Sequence, residues 1–113
     1  MDDVTTETWQ HKIREMASQI EDATSTLYKT EADYKKLQAS LELQAMATGA
    51  KTVSMQKTMA ENDPKLYDAR LAYGIAKGKL SGLKIILRSI EVGFEEYRTK
   101  NANMRAERTK YGA

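Results

Sequence analysis

The stretch LYDARLAYGIAKGKLSGLKIILRSIEVGFEEYRTKNANM, residues 66–104, decides the fold because its apolar residues recur at alternating spacings of three and four. Residues 9–41, WQHKIREMASQIEDATSTLYKTEADYKKLQASL, follow the same rule. A spacing that averages 3.5 residues keeps one side of an α-helix against a partner helix when the two helices supercoil. The sequence therefore predicts an all-α fold with two long helices of the coiled-coil type.

Each repeat defines a seam along which its helix should pack. The first seam comprises Trp9, Ile13, Met16, Ile20, Ala23, Leu27, Thr30, Tyr34, Leu37 and Leu41. The second seam comprises Leu66, Ala69, Tyr73, Ala76, Leu80, Leu83, Leu87, Ile90, Phe94, Tyr97, Asn101 and Met104. We expect Tyr73, Phe94 and Tyr97 to belong to this core, in preference to serving as platforms on which nucleic-acid bases stack. Trp9 either packs in the same core or reaches across a contact between copies of the chain.

Capping residues indicate where the helices end. A hydroxyl of Thr5 or Thr6 can cap the first helix, beside acidic residues that suit the positive end of the helix dipole. Asp63 followed by Pro64 is the pattern of an N-cap with proline at the first helical position. The predicted bounds are about 6–47 for the first helix, 48–63 for a connector that is either a short helix or mobile, and about 64–110 for the second helix, all within one helical domain, 1–113.

The composition is typical of a helical protein with little interior. Hydrophobic residues make up 41% of the 113 residues and charged residues 30%, with one proline. Two paired helices close only a narrow core, so apolar residues outside the second seam, such as Leu71, Ile75, Ile86 and Val92, need another surface. We therefore expect a homo-oligomer. The number of copies, and whether the long helices pair within one chain or between chains, stay open at this point.

Three glycines, Gly74, Gly78 and Gly82, form a row at intervals of four inside the second helix. Each costs about 1 kcal/mol relative to alanine in a helix interior. Either another backbone approaches closely along this face, as small residues permit, or the glycines soften the helix and let it bend. With the glycines counted as packing residues, the predicted packing set is Trp9, Ile13, Ile20, Leu27, Leu37, Leu41, Gly74, Gly78, Gly82, Leu80, Leu83, Leu87, Ile90 and Phe94.

No residue pattern points to catalysis or to a bound cofactor. The chain has no cysteine, and its one histidine, His11, has no second ligand at a metal-binding spacing. No glycine-rich phosphate loop follows a strand, and no stretch approaches 18 uncharged apolar residues. We expect a protein that is not an enzyme, that carries no metal or cofactor, and that lies in the cytoplasm and not in a membrane.

Charge is distributed unevenly along the chain. The formal net charge is +2, yet residues 1–50 hold 5 Lys and Arg against 9 Asp and Glu, whereas residues 51–113 hold 13 against 7. With Leu66 at heptad position a, basic residues occupy most e positions and several g positions of the second helix, on either side of its seam. At the corresponding positions of the first helix only Glu31 and Asp33 are acidic. Eight Lys and Arg at these positions, against the two facing acids and the helix's own Glu91 and Glu107, leave an excess of about four positive charges beside the seam.

Two interpretations of this basic flank stay open. A polyanion such as nucleic acid exchanges its condensed counterions for contacts with Lys and Arg, whereas a solvated helix face carries the same residues without any partner. On the first interpretation the nucleic-acid-binding residues are Arg70, Lys77, Lys79, Lys84, Arg88, Arg98, Lys100 and Arg105.

The run LSGLKIILRSIEVGFEEYRTKNANMRAERTKYG, residues 80–112, together with a preceding long helix that ends at MATGA, resembles the small helical recombination mediators of tailed phages, the UvsY-like proteins. The similarity includes a break that contains glycine and the basic, polar end Asn103-Met104-Arg105-Ala106. It implies an oligomeric protein that binds single-stranded DNA and helps to load a recombinase onto strands covered by single-stranded-DNA-binding protein. The connector, 51–63, departs from the family pattern in length and composition, and no individual binding residue is carried over from the family.

The sequence thus favours a non-enzymatic accessory factor of phage DNA recombination or replication, acting in the cytoplasm of the host cell. Binding to single-stranded DNA should show no sequence preference, because contacts to phosphates carry no base information. The alternative is a coiled-coil scaffold or interaction protein, such as a virion assembly factor or a small inhibitor of a host enzyme, whose basic flank docks on an acidic protein surface.

Overall fold

The computed structural model describes residues 5–110, and over this range the chain is helical with no β-strand. Helix α1 covers Thr6–Ala47, α2 covers Val53–Glu61 and α3 covers Pro64–Lys110. The prediction of two long helices is confirmed, and the connector contains a short helix, one of the two forms that the sequence left open. Residues 111 and 112, which close the stretch that resembles the phage mediators, lie outside the described residues.

Local hydrogen bonds close helix α1 at both ends. The Thr8 backbone N–H donates to Thr5 Oγ1 at 3.2 Å, so the expected hydroxyl cap is the side chain of Thr5. At the other end Gly49 has a φ of 109°, a left-handed conformation that glycine adopts without strain. The Ala50 N–H then donates to the Ala45 carbonyl at 3.0 Å, which satisfies a carbonyl of the last turn and ends the helix.

Side-chain caps also start the other two helices. Thr52 Oγ1 accepts a hydrogen bond from the Met55 N–H at 3.1 Å at the start of α2. Asp63 Oδ1 accepts one from the Lys65 N–H at 2.8 Å, and Pro64 is the first residue of α3. The predicted N-cap of the second long helix, α3, is therefore confirmed, because the aspartate satisfies a free N–H and the proline has none to satisfy.

Contacts divide the chain into two compact units. The central unit is Glu21–Ser81, which contains most of α1, all of α2 and the start of α3. The described residues of the terminal unit are 5–20 and 82–110. Each long helix therefore contributes to both units. That the chain forms a single domain stays a prediction.

The core of the central unit forms where α2 meets the two long helices. Leu66 of α3 has no exposed surface, and it clusters with Leu41 of α1 and Ala60 of α2. Tyr34 and Leu37 are partly buried against this cluster. All three helices thus contribute a side chain to one small apolar core.

The order of contacts fixes the helix direction in the central unit. Leu41, near the end of α1, clusters with Leu66 at the beginning of α3. Tyr34, earlier in α1, stacks on Tyr73, later in α3, with ring centroids 5.9 Å apart. The two helices are therefore antiparallel in this unit, and they pair within one chain.

The terminal unit is organised around Trp9. Its ring stacks on Phe94 and tilts against Tyr97, with centroids 6.2 Å apart in both pairs. A Cβ atom added at Gly93 would lie 2.9 Å from the Trp9 ring, so the missing side chain makes room for the indole. The indole N–H is buried without an acceptor among the described residues, so ring packing and not a hydrogen bond holds Trp9 in place. Trp9 therefore has the first of its two expected roles, core packing within the chain.

Burial follows the two predicted seams. All ten residues of the first seam and all but one of the second are buried or half-buried. The exception is Met104, which is 51% exposed and corrects the prediction. The reason is local: Trp9 packs against Tyr97, and α1 begins one turn before Trp9, so α3 continues past the end of its partner helix.

Apolar residues outside the second seam are not covered by the chain. Leu71, Ile75, Ile86 and Val92 are between 47% and 63% exposed. Their position away from the seam agrees with the heptad assignment. That a second copy of the chain buries them stays a prediction.

The glycine row of α3 behaves differently from Gly93. Nothing among the described residues lies within 4 Å of a Cβ atom placed at Gly74, Gly78 or Gly82. Another helix of the same chain therefore does not make the close approach that was one of the two roles the sequence left open for this row, because the seam holds the other side of α3 against α1. A close approach by another chain stays a prediction.

Candidate nucleic-acid interface

The basic residues predicted to bind nucleic acid all lie on α3 and are all exposed. The central unit contains Arg70, Lys77 and Lys79, and the terminal unit contains Lys84, Arg88, Arg98, Lys100 and Arg105. Packing of the seam against α1 fixes which side of α3 each unit presents to water. The helix thereby holds these charges at set intervals instead of leaving them on mobile loops.

In the central unit Arg70 contacts an aromatic ring of the facing helix. Its Nε donates a hydrogen bond of 3.3 Å to Tyr34 Oη, and its Cζ lies 5.7 Å from the centre of the ring. The hydrogen bond to Tyr34 raises the pKa of Arg70, which keeps the guanidinium charged. The partner of Arg70 is neutral, and no described carboxylate forms an ion pair with it.

Lys77 lies over a second seam tyrosine, with its Nζ 4.9 Å from the centre of the Tyr73 ring. Tyr73 Oη in turn donates a hydrogen bond of 2.8 Å to Glu31 Oε2. Lys35 Nζ donates another, of 3.2 Å, to Glu31 Oε1. Glu31, one of the two acids that flank the seam on α1, therefore accepts hydrogen bonds from a tyrosine of α3 and from a lysine of its own helix.

The contact between Tyr73 and Glu31 shifts the pKa values of the two groups in opposite directions. The hydrogen bond from Tyr73 lowers the pKa of Glu31, and Lys35 lowers it further. The hydrogen bond to Glu31 raises the pKa of Tyr73, because ionising the phenol would place two negative oxygens side by side. At neutral pH the pair therefore carries one negative charge, on Glu31, and Tyr73 is neutral.

In the terminal unit one member of the basic set has an acidic neighbour among the described residues. Arg98 Nη1 lies 3.4 Å from Glu95 Oε1, one turn earlier on α3. The two side chains are 63% and 70% exposed, and such surface pairs contribute at most about 1 kcal/mol. Arg98 also lies over the Phe94 ring, 5.7 Å from its centre. A phosphate in water can therefore compete with Glu95 for this guanidinium.

Positive charge is concentrated at one crevice of the terminal unit. Arg98 and Arg105 line a polar space of about 360 Å³ together with Thr6, the first residue of α1. Glu95, the ion-pair partner of Arg98, lines the same space and offsets one of the two positive charges. The beginning of a helix carries the positive end of its dipole, equivalent to about half an elementary charge. Two guanidinium groups beside a helix start favour an anion with several acceptor oxygens, as a phosphate has.

Pairing with acids of the facing helix is the usual role of charges that flank a coiled-coil seam. Among the described residues, the ion pairs Lys35–Glu31 and Arg98–Glu95 each join two residues of one helix. No member of the predicted nucleic-acid-binding set pairs with an acid of α1 in this part of the chain. Lys77 contributes least to the lowered pKa of Glu31 and forms no ion pair with it, so no ion pair neutralises the flank across the seam.

Sequence reasoning missed the contacts between basic side chains and seam rings. Lys77 follows Tyr73 by four residues, and Arg98 follows Phe94 by four, a spacing that brings side chains together on one helix. This signal is present in the sequence. The contact of Arg70 with Tyr34 has no such signal, because the two residues lie on different helices.

The described residues offer no other site with a definite chemistry. No group of three or more His, Cys, Asp or Glu side chains among them could hold a metal ion. His11 lies 3.7 Å from Glu15 on an exposed turn of α1. Between residues 5 and 110 no helix combines the length and the apolar character needed to cross a membrane.

Comparisons with known protein families, with curated proteins and with solved structures gave no match to this chain. They neither support nor refute the resemblance to the UvsY-like mediators. Function is therefore inferred from the charges and contacts of the described side chains.

Proposed function

We propose that the chain is a non-enzymatic accessory factor of phage DNA recombination or replication, which binds single-stranded DNA along the basic flank of α3. The observation that carries this proposal is a run of uncompensated positive charge. Between Asp68 and Glu91, α3 contains five Lys and Arg and no Asp or Glu. None of these five forms an ion pair among the described residues. Phosphates bind such a surface because the counterions that they release gain entropy.

The spacing of the charges suits a flexible polyanion. Arg70, Lys77 and Lys84 recur every seven residues, which is about 10.5 Å along a helix. A single strand can adjust its backbone to a row of this kind, and positive rows that follow the backbone are the common device of single-strand binders. The preference for a single strand over a duplex comes from the resemblance to the UvsY-like proteins.

Binding should be insensitive to base sequence. The rings of Trp9 and Phe94 are occupied by packing in the terminal unit, and Tyr34 and Tyr73 stack on each other in the central unit. Tyr28 and Tyr67 are 68% and 62% exposed, but they are fewer than the eight basic residues of the predicted set, so contacts to phosphate should outnumber base stacking, and phosphate contacts fix position without specifying sequence. A recombinase and a single-stranded-DNA-binding protein are the protein partners that the resemblance implies, in the cytoplasm of the host cell.

A second candidate function has its own supporting observation. Large apolar side chains at the end of α1 and along α2 are between 47% and 64% exposed in the central unit: Leu43, Met46, Val53, Met55 and Met59. Methionine-rich surfaces adapt to protein partners. A scaffold or inhibitor that docks on an acidic protein would use this apolar surface together with the basic flank.

Fluorescence anisotropy of a labelled single-stranded oligonucleotide, titrated with the protein over a series of salt concentrations, tests the proposal. Duplex DNA of the same length is the control. We expect a dissociation constant in the micromolar range or tighter at low salt, a steep loss of affinity with salt and weaker binding of the duplex. No binding at low salt would refute the nucleic-acid function and favour the acidic protein partner.

A further inference from the structure

Helix α3 carries a second repeat on the side opposite its seam. Seven residues, spaced alternately by four and three, are apolar or small: Leu71, Ile75, Gly78, Gly82, Ile85, Ser89 and Val92. We call this set the outer stripe. Its residues occupy heptad positions f and c, roughly 150° around the helix from the seam. A repeat of this spacing indicates packing against another helix, and not the binding of a small molecule.

The large side chains of the outer stripe are exposed. Leu71 and Ile75 are 48% and 63% exposed in the central unit, and Ile85 and Val92 are 69% and 53% exposed in the terminal unit. No charged residue occupies a position of the stripe. A shallow space of about 680 Å³ beside Val92 is lined by α3 residues alone, so no other helix covers that part of the stripe.

The glycines of the stripe favour a helix as the occupant. In the described part of the chain nothing lies within 4 Å of a Cβ atom placed at Gly78 or Gly82. Both glycines therefore weaken α3 without making room for any part of this chain. Small residues at the centre of a helix face let a second helix approach with its backbone.

The four central residues of the stripe are symmetric about Leu80, which favours a second copy of α3 as the partner helix, while farther out Leu71 falls opposite Ser89 and Val92 opposite Asp68. Gly78 and Gly82 lie two residues to either side of Leu80, and Ile75 and Ile85 lie five residues to either side. An antiparallel copy of the same helix would therefore place glycine against glycine at the centre, with isoleucine against isoleucine on both sides. A twofold interface requires this kind of self-complementary surface.

We propose that the outer stripe packs against the outer stripe of a second copy of this chain. The two α3 helices are antiparallel, and the twofold axis crosses the stripe at the level of Leu80 along the helix. The glycines then allow the close approach of backbones that nothing within the chain makes. This inference goes beyond the proposed function and does not depend on it, because association is measured without nucleic acid.

Analytical ultracentrifugation of the wild type, of Ile75→Glu and of Leu43→Glu tests the proposal. Ile75 and Leu43 are both 63% exposed, so the two variants are matched in burial and charge. We expect an associated wild type, a dissociation constant raised about 100-fold or more by Ile75→Glu because it buries unpaired carboxylates, and no change with Leu43→Glu. A wild type that is monomeric at about 100 μM, or an association that Ile75→Glu leaves unchanged, would overturn the proposal.

Single cysteines separate the antiparallel arrangement from a parallel one, and the absence of native cysteine makes the chain suitable for this. Ser81→Cys lies one residue from the proposed axis, and a short bismaleimide should link it to its copy. Ser89→Cys lies nine residues from the axis, so the two copies should be about 27 Å apart along the helices and should not be linked. Equal cross-linking at both positions would refute the antiparallel arrangement.

Discussion

Replacing Arg70, Lys77 and Lys84 together with glutamine should weaken the salt dependence of DNA binding by a calculable amount. The three residues are exposed, and their contacts within the chain are at most one hydrogen bond and ring contacts, so the helices should keep their structure. Glutamine has a similar helix propensity and a polar end, and it removes the charge. The variant therefore tests charge on one flank of α3.

Each phosphate contact to a single strand contributes about 0.7 to the slope of log K against log salt concentration. If all members of the basic set contact phosphates, eight contacts give a slope of about −5.6 and the variant, with five, about −3.5. Between 50 and 200 mM salt the wild type should then lose about 2,000-fold in affinity and the variant about 130-fold. The assay is anisotropy of a labelled single strand at four or more salt concentrations.

The matched control is Arg14→Gln, Lys29→Gln and Lys36→Gln on α1. These three residues are also exposed, and both triple variants have a formal net charge of −1, which is the wild-type +2 less three. We expect the control to keep the wild-type slope, because its three residues lie outside the α3 flank. Equal reductions of slope in the two variants would show that net charge and not the α3 flank determines binding, and an unchanged slope in the first variant would remove its three residues from the interface.

Three further predictions concern packing and pH, and urea unfolding at fixed protein concentration measures the stability in each. Gly93→Ala should destabilise the fold by about 1 kcal/mol, because the clash with Trp9 outweighs the gain in helix propensity. Leu66→Ala should cost about 2–5 kcal/mol, since the side chain is fully buried. The lowered pKa of Glu31 gives stability that is lost as pH falls through that pKa, and the raised pKa of Tyr73 gives stability that is lost as pH rises through it. Tyr73→Phe should reduce the loss of stability at low pH and the loss at high pH. It should also raise the pKa of Glu31, which a carboxyl NMR titration measures.

Each of these changes has a control at an open position. Gly74→Ala should stabilise the helix by about 1 kcal/mol, since nothing lies within 4 Å of the new Cβ. Leu43→Ala should change stability by no more than about 0.5 kcal/mol, because Leu43 is 63% exposed. Tyr28→Phe, at a tyrosine that is 68% exposed, should leave the pH dependence unchanged. Stabilisation by Gly93→Ala, a cost below 1 kcal/mol for Leu66→Ala, or an unchanged pKa of Glu31 in Tyr73→Phe would contradict the respective argument.

The helices and their buried faces could be predicted because both follow from local rules. Thr5 and Asp63 cap their helices through hydrogen bonds to residues two or three positions away, so the chain near each end contains all the partners that the cap needs. The alternating spacing fixes which side of each helix faces its partner. The prediction that Met104 is buried was wrong, because a seam position is buried only as far as the partner helix extends.

The candidate site could be predicted in part. The exposure of the basic flank follows from its heptad positions, which avoid the seam. The partners of its members do not follow, because the contact of Arg70 with Tyr34 depends on which turn of α1 lies against which turn of α3. The repeat fixes which face of each helix packs against the other. It does not fix how far one helix is shifted along the other, because a shift by a whole heptad keeps the same faces in contact.

By itself, the sequence determined the two long helices, their bounds, the residues that face inward with the exception of Met104, and the excess of positive charge on α3. These properties depend on neighbours a few residues apart. Only the tertiary structure decided that the long helices pair within one chain, that Gly93 and not Gly78 accommodates a side chain, and that Glu31 accepts a hydrogen bond from Tyr73 instead of forming an ion pair with an α3 cation. The physical reason is that these contacts join residues far apart in the sequence, 42 positions for Glu31 and Tyr73, and their register is set by which side chains fit together in three dimensions.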